Sequence, residues 1–147
     1  NLNILFTYSN ADAGGRIISQ KIEEFCKLQP EKYKVVKNLG QLKYLTAMKH
    51  VDLLIGNSSS GIIEAASFKK PVVNIGDRQK GRLRGKNVID CDLKSLKKSI
   101  MLALSPNFKD EIKNIKNVYG VGAASEVILD KLINEPMSII KKFKDQL

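Results

Sequence analysis

Apolar and polar positions follow two different periods along this chain. Residues 2–8 form a short apolar run that predicts a buried strand, and the apolar positions 17, 18, 22, 25 and 26 then recur as on one face of a helix. The same order is repeated downstream. Further strands are predicted at 33–36, 51–55, 72–75 and 88–89. Further helices are predicted at 41–49, 62–68, 93–104, 107–116, 123–134 and 137–144.

Strands that alternate with helices require crossover connections, which favour a mainly parallel sheet with helices on both faces. The predicted fold class is therefore α/β and Rossmann-like. A chain of 147 residues with 43% hydrophobic content can bury one sizeable core, so we expect one compact domain. Asn1 stands directly before the first strand, which indicates a piece of a longer protein.

The net charge of +10 would attract nucleic acid, membrane surfaces or phosphorylated ligands. The lysines are spread along predicted helix faces without interleaved aromatic residues or a recognisable nucleic-acid module. We therefore expect no nucleic acid and no membrane as partners. The sequence contains no signal peptide and no apolar run approaching the roughly 20 residues of a membrane span, so a cytoplasmic location is predicted.

Few side chains suit metal binding or covalent catalysis. Cys26 and Cys91 have no CxxC spacing, and His50 is the single histidine, so we expect no metal site. No serine or cysteine is paired with a histidine and a carboxylate, so no catalytic residue is assigned. The loops contain neither a GxGxxG fingerprint nor a P-loop, and no NAD or ATP is indicated.

The turn at 56–60 follows the third predicted strand, where parallel sheets bind ligands. Its small residues would let backbone N–H groups approach a phosphate, and a helix starting near Ser59 or Ser60 would direct its positive end there. Glu64 would then lie about one turn inside the helix, within reach of ribose hydroxyls. A plain N-cap with a favourable first-turn carboxylate explains the same residues.

Two more loops carry ligand-binding chemistry. Arg78, Arg82 and Arg84 follow the fourth predicted strand, in a chain that otherwise prefers lysine. Arginine is the planar, forked donor suited to phosphate or carboxylate, although a solvated basic loop has the same composition. The first crossover contains Asn10, Asp12, Gly14, Gly15 and Arg16, which also suit an ordinary turn and cap.

The stretches 51–65 and 70–82, taken together, resemble the UDP-N-acetylglucosamine 2-epimerase family. Residues 8–15 and the late turn at 119–122 resemble it as well, so the similarity extends over almost the whole chain. The loop Gly76-Asp77-Arg78-Gln79-Lys80-Gly81-Arg82 is similar to that of the hydrolysing branch. That branch makes N-acetylmannosamine for sialic-acid-type sugars.

The resemblance implies a glycosyltransferase-B-like fold of two Rossmann-like domains with the active site in the cleft. Residues 1–147 would be the C-terminal UDP-binding domain, with the N-terminal domain absent from this chain. UDP or a UDP-sugar is the implied ligand, and no cofactor, nicotinamide or obligatory metal is implied. The full-length enzyme is a candidate homo-oligomer.

The family's reaction eliminates UDP to give a glycal-like intermediate and then adds water, with carboxylates of the first domain as acid and base. This chain would stabilise the departing UDP electrostatically and would be inactive alone. Ser58 and Ser59 would hold the phosphates, Glu64 the ribose hydroxyls, and Arg78 the pyrophosphate or a nearby charge. The implied UDP-binding set is Asn10, Leu39, Ser58, Ser59, Ser60, Gly61, Glu64 and Arg78.

Within that set, the backbone of Leu39 would contact uracil, and Asn10 would line the phosphate side of the cleft. Animal members carry basic residues where this chain has Gln20 and Glu23, which argues against feedback control by CMP-sialic acid. Two other functions compete with the epimerase. One is the donor-binding domain of a UDP-sugar glycosyltransferase, and the other is a noncatalytic basic binding module.

Overall fold

A computed structural model describes residues 2–9, 14–120 and 122–135. The predictions for Asn10, Asp12 and a helix at 137–144 lie outside these residues. The chain divides into two compact units, 1–51 and 52–147, and each is described by itself. The assignment of the whole chain to one UDP-binding domain stays a prediction.

The first unit is a β-α-β-α arrangement. Its elements are β1 (Ile4–Thr7), α1 (Gly15–Leu28), β2 (Tyr33–Val36) and α2 (Gly40–His50). The two strands pair in parallel, with Ile4 opposite Tyr33 and Thr7 opposite Val36. Gly14 precedes α1 in the left-handed conformation at φ 86°, which glycine adopts without steric cost.

The apolar run at 2–8 predicted a buried strand, but β1 is exposed on one face. Leu5 is 42% exposed, whereas Ile4 and Phe6 are half-buried. Phe6 packs edge-on against Phe25 of α1, whose ring stacks on Tyr33 of β2 at 4.9 Å between centroids. Successive side chains of a strand point to opposite faces, so this aromatic cluster covers one face of the sheet.

The second unit contains a three-stranded parallel sheet in the order β3-β4-β5. The strands are β3 (Leu54–Gly56), β4 (Val72–Ile75) and β5 (Val88–Cys91). The helices are α3 (Ser59–Ile63), a 3-10 helix (Ala65–Phe68), α4 (Leu96–Leu104), α5 (Pro106–Ile112) and α6 (Ala124–Asn134). The predicted α/β class with parallel strands flanked by helices is confirmed.

The core of the second unit lies around its central strand. Val72 and Val73 of β4 are 3% and 0% exposed, because β4 pairs on both edges and α3 and α4 pack against it. Ala103 of α4 and Ile112 of α5 extend this core. Apart from the buried Asn74, the β4 run is apolar, as expected of a central parallel strand.

Helix ends in the second unit follow local rules. Ser105 caps α5, accepting a hydrogen bond from the Phe108 amide at 3.3 Å, and Pro106 occupies the first helical position. Lys69 ends the 3-10 helix in the left-handed conformation at φ 53°, two residues before Pro71. Across the described ranges, no helix has both the length and the apolar content to cross a bilayer.

Candidate functional site

Two loops leave the same edge of the sheet in the second unit. The turn at 56–60 follows β3 and the loop at 76–86 follows β4, so both lie at the carboxyl ends of adjacent parallel strands. Gly56 and Gly76 stand at the two exits with φ of 152° and 73°, conformations that strain other residues. This edge is where open α/β sheets bind ligands.

Ser58 caps α3, and the helix begins at Ser59 as the sequence predicted. The Ser58 hydroxyl accepts from the Ser60 amide at 3.4 Å and lies 3.2 Å from the Ser60 hydroxyl. Ser58 is exposed, and Ser59 and Ser60 are half-buried. The turn therefore holds a cap and presents hydroxyl groups near solvent, so the capping interpretation and the phosphate interpretation both fit its geometry.

Glu64 does not lie inside a continuous helix. Helix α3 ends at Ile63, the Glu64 amide donates to the Ser60 carbonyl at 2.8 Å, and the chain then tightens into the 3-10 helix. Glu64 is half-buried at this junction. A helix of five residues aligns few peptide dipoles, so anion binding here would depend mainly on N–H groups of the turn.

Gly61 allows α3 to pack closely on the sheet. The residue is buried, and a Cβ atom placed on it would lie 3.0 Å from Cγ1 of Val72. Its contribution is therefore to packing, because it permits the approach of the helix to β4. A direct contact with UDP remains a prediction.

The loop at 76–86, called the arginine loop, is connected through one carbonyl oxygen to the turn at 56–60, called the Ser-rich turn. Asn57 O accepts from Gln79 Nε2 at 2.8 Å and, at the longer distance of 3.4 Å, from Arg78 Nη1. Arg78 is exposed, whereas Gln79 is 4% exposed. The two loops that the sequence singled out separately are thus joined in space.

The segment before α6 reaches the same region. The Asn117 side-chain amide donates to the Ile63 carbonyl at 2.7 Å and to the Ser67 hydroxyl at 2.8 Å. Two residues later, the Tyr119 hydroxyl donates to the Leu83 carbonyl at 2.9 Å. Asn117 and Tyr119 therefore join the end of α3 and the arginine loop to the segment before α6.

Asp92 lies just beyond β5, the third strand to end at this edge. The Ser95 hydroxyl donates to Asp92 Oδ1 at 2.6 Å, and the Ser95 amide donates to the same oxygen at 2.8 Å. These hydrogen bonds favour the ionised form, so the Ser95 side chain first, and then its amide, lowers the pKa of Asp92.

The remaining predicted residues are placed as follows. Leu39 belongs to the first unit, where it precedes α2 and is half-buried. Arg16 and His50 are exposed, on the first turn of α1 and the last residue of α2. Within the described part of the chain, no three histidine, cysteine or carboxylate side chains are grouped to hold a metal ion.

Glu23 has a local role in the first unit. Its carboxylate accepts a hydrogen bond from the Tyr8 hydroxyl, and the Lys37 ammonium lies 5.9 Å from the centre of the Tyr8 ring. The acidic residue at this position therefore anchors the end of β1 to α1.

Sequence reasoning missed the side chains that hold the loops together: Asn74, Gln79, Asp90 and Asn117. One of them gave a signal. Asn74 is a lone polar residue in an apolar strand and is 1% exposed, so it needed a buried partner. Gln79 gave no signal, because a glutamine between charged loop residues is ordinarily solvated.

Comparison with known proteins identifies the family of this chain. The family described as UDP-N-acetylglucosamine 2-epimerase matches residues 1–133. The chain is 45% identical over 109 residues to the GDP/UDP-N,N'-diacetylbacillosamine 2-epimerase (hydrolyzing) of Campylobacter jejuni, covering 74% of this chain and 28% of that protein.

Two further relatives are similar over longer stretches. The UDP-N,N'-diacetylbacillosamine 2-epimerase (hydrolyzing) of Legionella pneumophila is 39% identical over 126 residues, covering 86% of this chain and 32% of the relative. Polysialic acid biosynthesis protein P7 of Escherichia coli is 39% identical over 119 residues, with 80% and 30% covered. The chain thus spans less than a third of the length of these curated relatives, and within that span it belongs to the UDP-N-acetylglucosamine 2-epimerase family.

Proposed function

We propose that this chain is the UDP-binding part of a hydrolysing 2-epimerase, which converts a UDP-activated 2-acetamido sugar and water into the free 2-epimeric sugar and UDP. The observation that carries the proposal is the junction of the Ser-rich turn and the arginine loop at Asn57 O, within a chain of this family. At this junction, hydroxyl groups and a guanidinium group lie beyond the carboxyl ends of β3 and β4.

The binding roles follow from the chemistry of these groups. Ser58, Ser59 and Ser60 donate hydroxyl protons to the diphosphate, and Arg78 adds a forked cation beside the same turn. Glu64, one short helix away, accepts hydrogen bonds from the ribose. By the family resemblance, the Leu39 backbone would contact the uracil and Asn10 the phosphates, and both assignments stay predictions.

In this reaction the proton on C2 is removed, the C1–O bond breaks, and its electron pair leaves with UDP. A proton then returns to C2 from the opposite face, and water adds to C1 and gives up a proton to a base. Negative charge develops on the leaving diphosphate, so fixed donors aimed at it lower the barrier. The groups that move protons belong to a further domain of the full-length protein.

The first candidate substrate is UDP-N-acetylglucosamine, with N-acetylmannosamine as product. The names of the Campylobacter and Legionella relatives favour a second candidate, UDP-N,N'-diacetylbacillosamine. Both sugars carry an acetamido group on C2, the carbon that loses and regains the proton.

Purified full-length protein, incubated with each UDP-sugar in D₂O and followed by NMR, tests the proposal. We expect release of UDP together with a free 2-epimeric sugar that carries deuterium at C2. Reversible epimerisation without UDP release would refute hydrolysis. Transfer of the sugar to an acceptor with no epimerisation would identify a glycosyltransferase, and salt-sensitive nucleic-acid binding without UDP binding would identify a basic binding module.

A further inference from the structure

The amide of Gln79 is unusual among the side chains of the arginine loop because it is buried. Gln79 is 4% exposed, and its Nε2 donates to Asn57 O at 2.8 Å. Its Oε1 is also buried, with no hydrogen-bond partner. An unpaired buried oxygen is costly, so this amide is held in place at some expense of stability.

The backbone of Gln79 is held by hydrogen bonds from two arginines of the same loop. The Gln79 carbonyl accepts from Arg84 Nη2 at 3.0 Å and from the Arg82 amide at 3.2 Å. Arg84 Nη1 donates to the Arg82 carbonyl at 2.6 Å. The loop is therefore folded back on Arg84, which fixes the point from which the Gln79 side chain extends.

Arg84 is in turn anchored to the sheet. Its Nε lies 2.6 Å from Asp90 Oδ2, and Asp90 Oδ1 accepts from the Asn74 amide at 2.6 Å. Asn74 and Asp90 are partners in the β4–β5 register, and Asn74 is 1% exposed. The loop is thus connected to β4 and β5 by the Arg84–Asp90 ion pair and the Asn74–Asp90 hydrogen bond.

These contacts form one continuous path from the sheet to the Ser-rich turn. The path runs through Asn74, Asp90, Arg84 and Gln79 to Asn57. Asn57 directly precedes Ser58, so the position of the serine hydroxyls depends on where its carbonyl is held. A network of contacts anchored in the sheet at one end can hold a turn in one conformation at the other.

We infer that Gln79 is a positioning residue, which holds the turn at 56–60 in the conformation that grips the diphosphate. This inference rests on the proposed function, because it concerns the same UDP site. Gln79 touches no ligand in this role. It acts through Asn57 and lowers the conformational cost that UDP binding would otherwise carry.

The chain offers a matched control in Asn87. Its buried amide, 0% exposed, donates to the Lys70 carbonyl at 2.9 Å, and its Oδ1 is likewise buried without a partner. Lys70 and Asn87 precede β4 and β5, at the opposite edge of the sheet from the turn. Asn87→Leu therefore removes the same kind of hydrogen bond away from the proposed site.

Calorimetric titration of the full-length protein with UDP tests the inference. Gln79→Met keeps the length of the side chain and removes its donor, and we expect UDP affinity to fall about tenfold, the scale of one lost ordering hydrogen bond. Asn87→Leu should lower the melting temperature and leave the UDP affinity within about twofold of the unchanged protein. Equal affinity of Gln79→Met and the unchanged protein, or an equal loss in Asn87→Leu, overturns the inference.

A double-mutant cycle with Ser58→Ala adds a readout that general destabilisation does not move. If Gln79 acts through the turn, its effect on UDP affinity is largely lost in the Ser58→Ala background. Additive effects overturn the inference. If the unchanged protein does not bind UDP, the proposed function fails and this inference with it. If the unchanged protein binds UDP but Gln79→Met binds it equally well, only this inference fails.

If Gln79→Met fails to fold, Asp90→Asn decides the question. Asp90 is half exposed, so the substitution is tolerable, and it weakens the anchor of Arg84 while adding net positive charge. That added charge by itself favours an anionic ligand. A fall of about threefold in UDP affinity therefore supports the path, and unchanged or higher affinity overturns it.

Discussion

The Asn117 side-chain amide donates to the main-chain oxygen of Ile63 at 2.7 Å, across 54 positions of sequence, and Ile63 directly precedes Glu64. The segment before α6 thereby fixes the end of the short helix α3, directly before the proposed ribose contact Glu64. A second hydrogen bond from the same amide to the Ser67 hydroxyl extends this anchor to the 3-10 helix.

Asn117→Ala should destabilise the protein by about 1–3 kcal/mol, because it leaves the Ile63 carbonyl without its side-chain partner. Urea unfolding of the full-length protein measures this loss. Asn134→Ala is the control, since the contact of Asn134 with Asp130 is exposed and lies within one helix, and its loss should cost less than about 0.5 kcal/mol. Equal losses for the two variants would show that the Ile63 contact contributes nothing special.

Glu64→Ala should weaken UDP binding by about tenfold or more, because a carboxylate that accepts ribose hydrogen bonds contributes more than a neutral acceptor. Calorimetry with UDP measures the change. Glu111→Ala removes the same charge from an exposed position on α5 and should leave affinity nearly unchanged. Unaltered UDP affinity in Glu64→Ala would remove Glu64 from the site.

Gly61→Ala should destabilise the second unit by about 1–3 kcal/mol, because the new Cβ overpacks the interface with β4. Its nearest neighbour would be Val72 Cγ1 at 3.0 Å. The cost should shrink in a Val72→Ala background, where that methyl group is gone. Denaturant unfolding of the two single variants and the double variant measures the coupling, and strict additivity would contradict the contact.

The Asp92 carboxyl should titrate below its ordinary pKa, because Ser95 hydrogen bonds favour its ionised form. A depressed folded-state pKa gives stability that is present above the unfolded-state pKa and is lost as the pH falls through the folded-state pKa. Ser95→Ala should raise the pKa of Asp92 toward its ordinary value. NMR titration of the carboxyl carbon measures both values, and the same midpoint in both proteins would refute the assignment.

Residues 1–147 alone should bind UDP weakly and release no sugar from UDP-N-acetylglucosamine, because the proton-transferring groups are proposed to lie in another domain. A coupled assay for UDP, run beside the full-length protein, measures turnover. Sustained UDP release by the isolated chain would contradict the division of labour proposed above.

Local sequence signals predicted much of the second unit. The largely apolar run of β4 and the serine cap at Ser58 depend on neighbouring residues, and each is found where the pattern indicated. Glu64 differed, since its position depends on where α3 stops. The Ser60–Glu64 hydrogen bond and the packing of Ala65 and Ala66 into the core tighten the next turn, and periodicity alone does not reveal this.

The sequence by itself determined the alternation of strands and helices, the two ligand-type loops and the family, because these depend on short-range periodicity and on contiguous motifs. The tertiary structure decided how those loops are held. Gln79, Asp90 and Asn117 each act on a partner distant in sequence, through hydrogen bonds that form only when β3, β4 and β5 lie side by side. Such contacts leave no periodic trace, because a polar residue in a loop looks the same whether it is solvated or buried against a distant carbonyl.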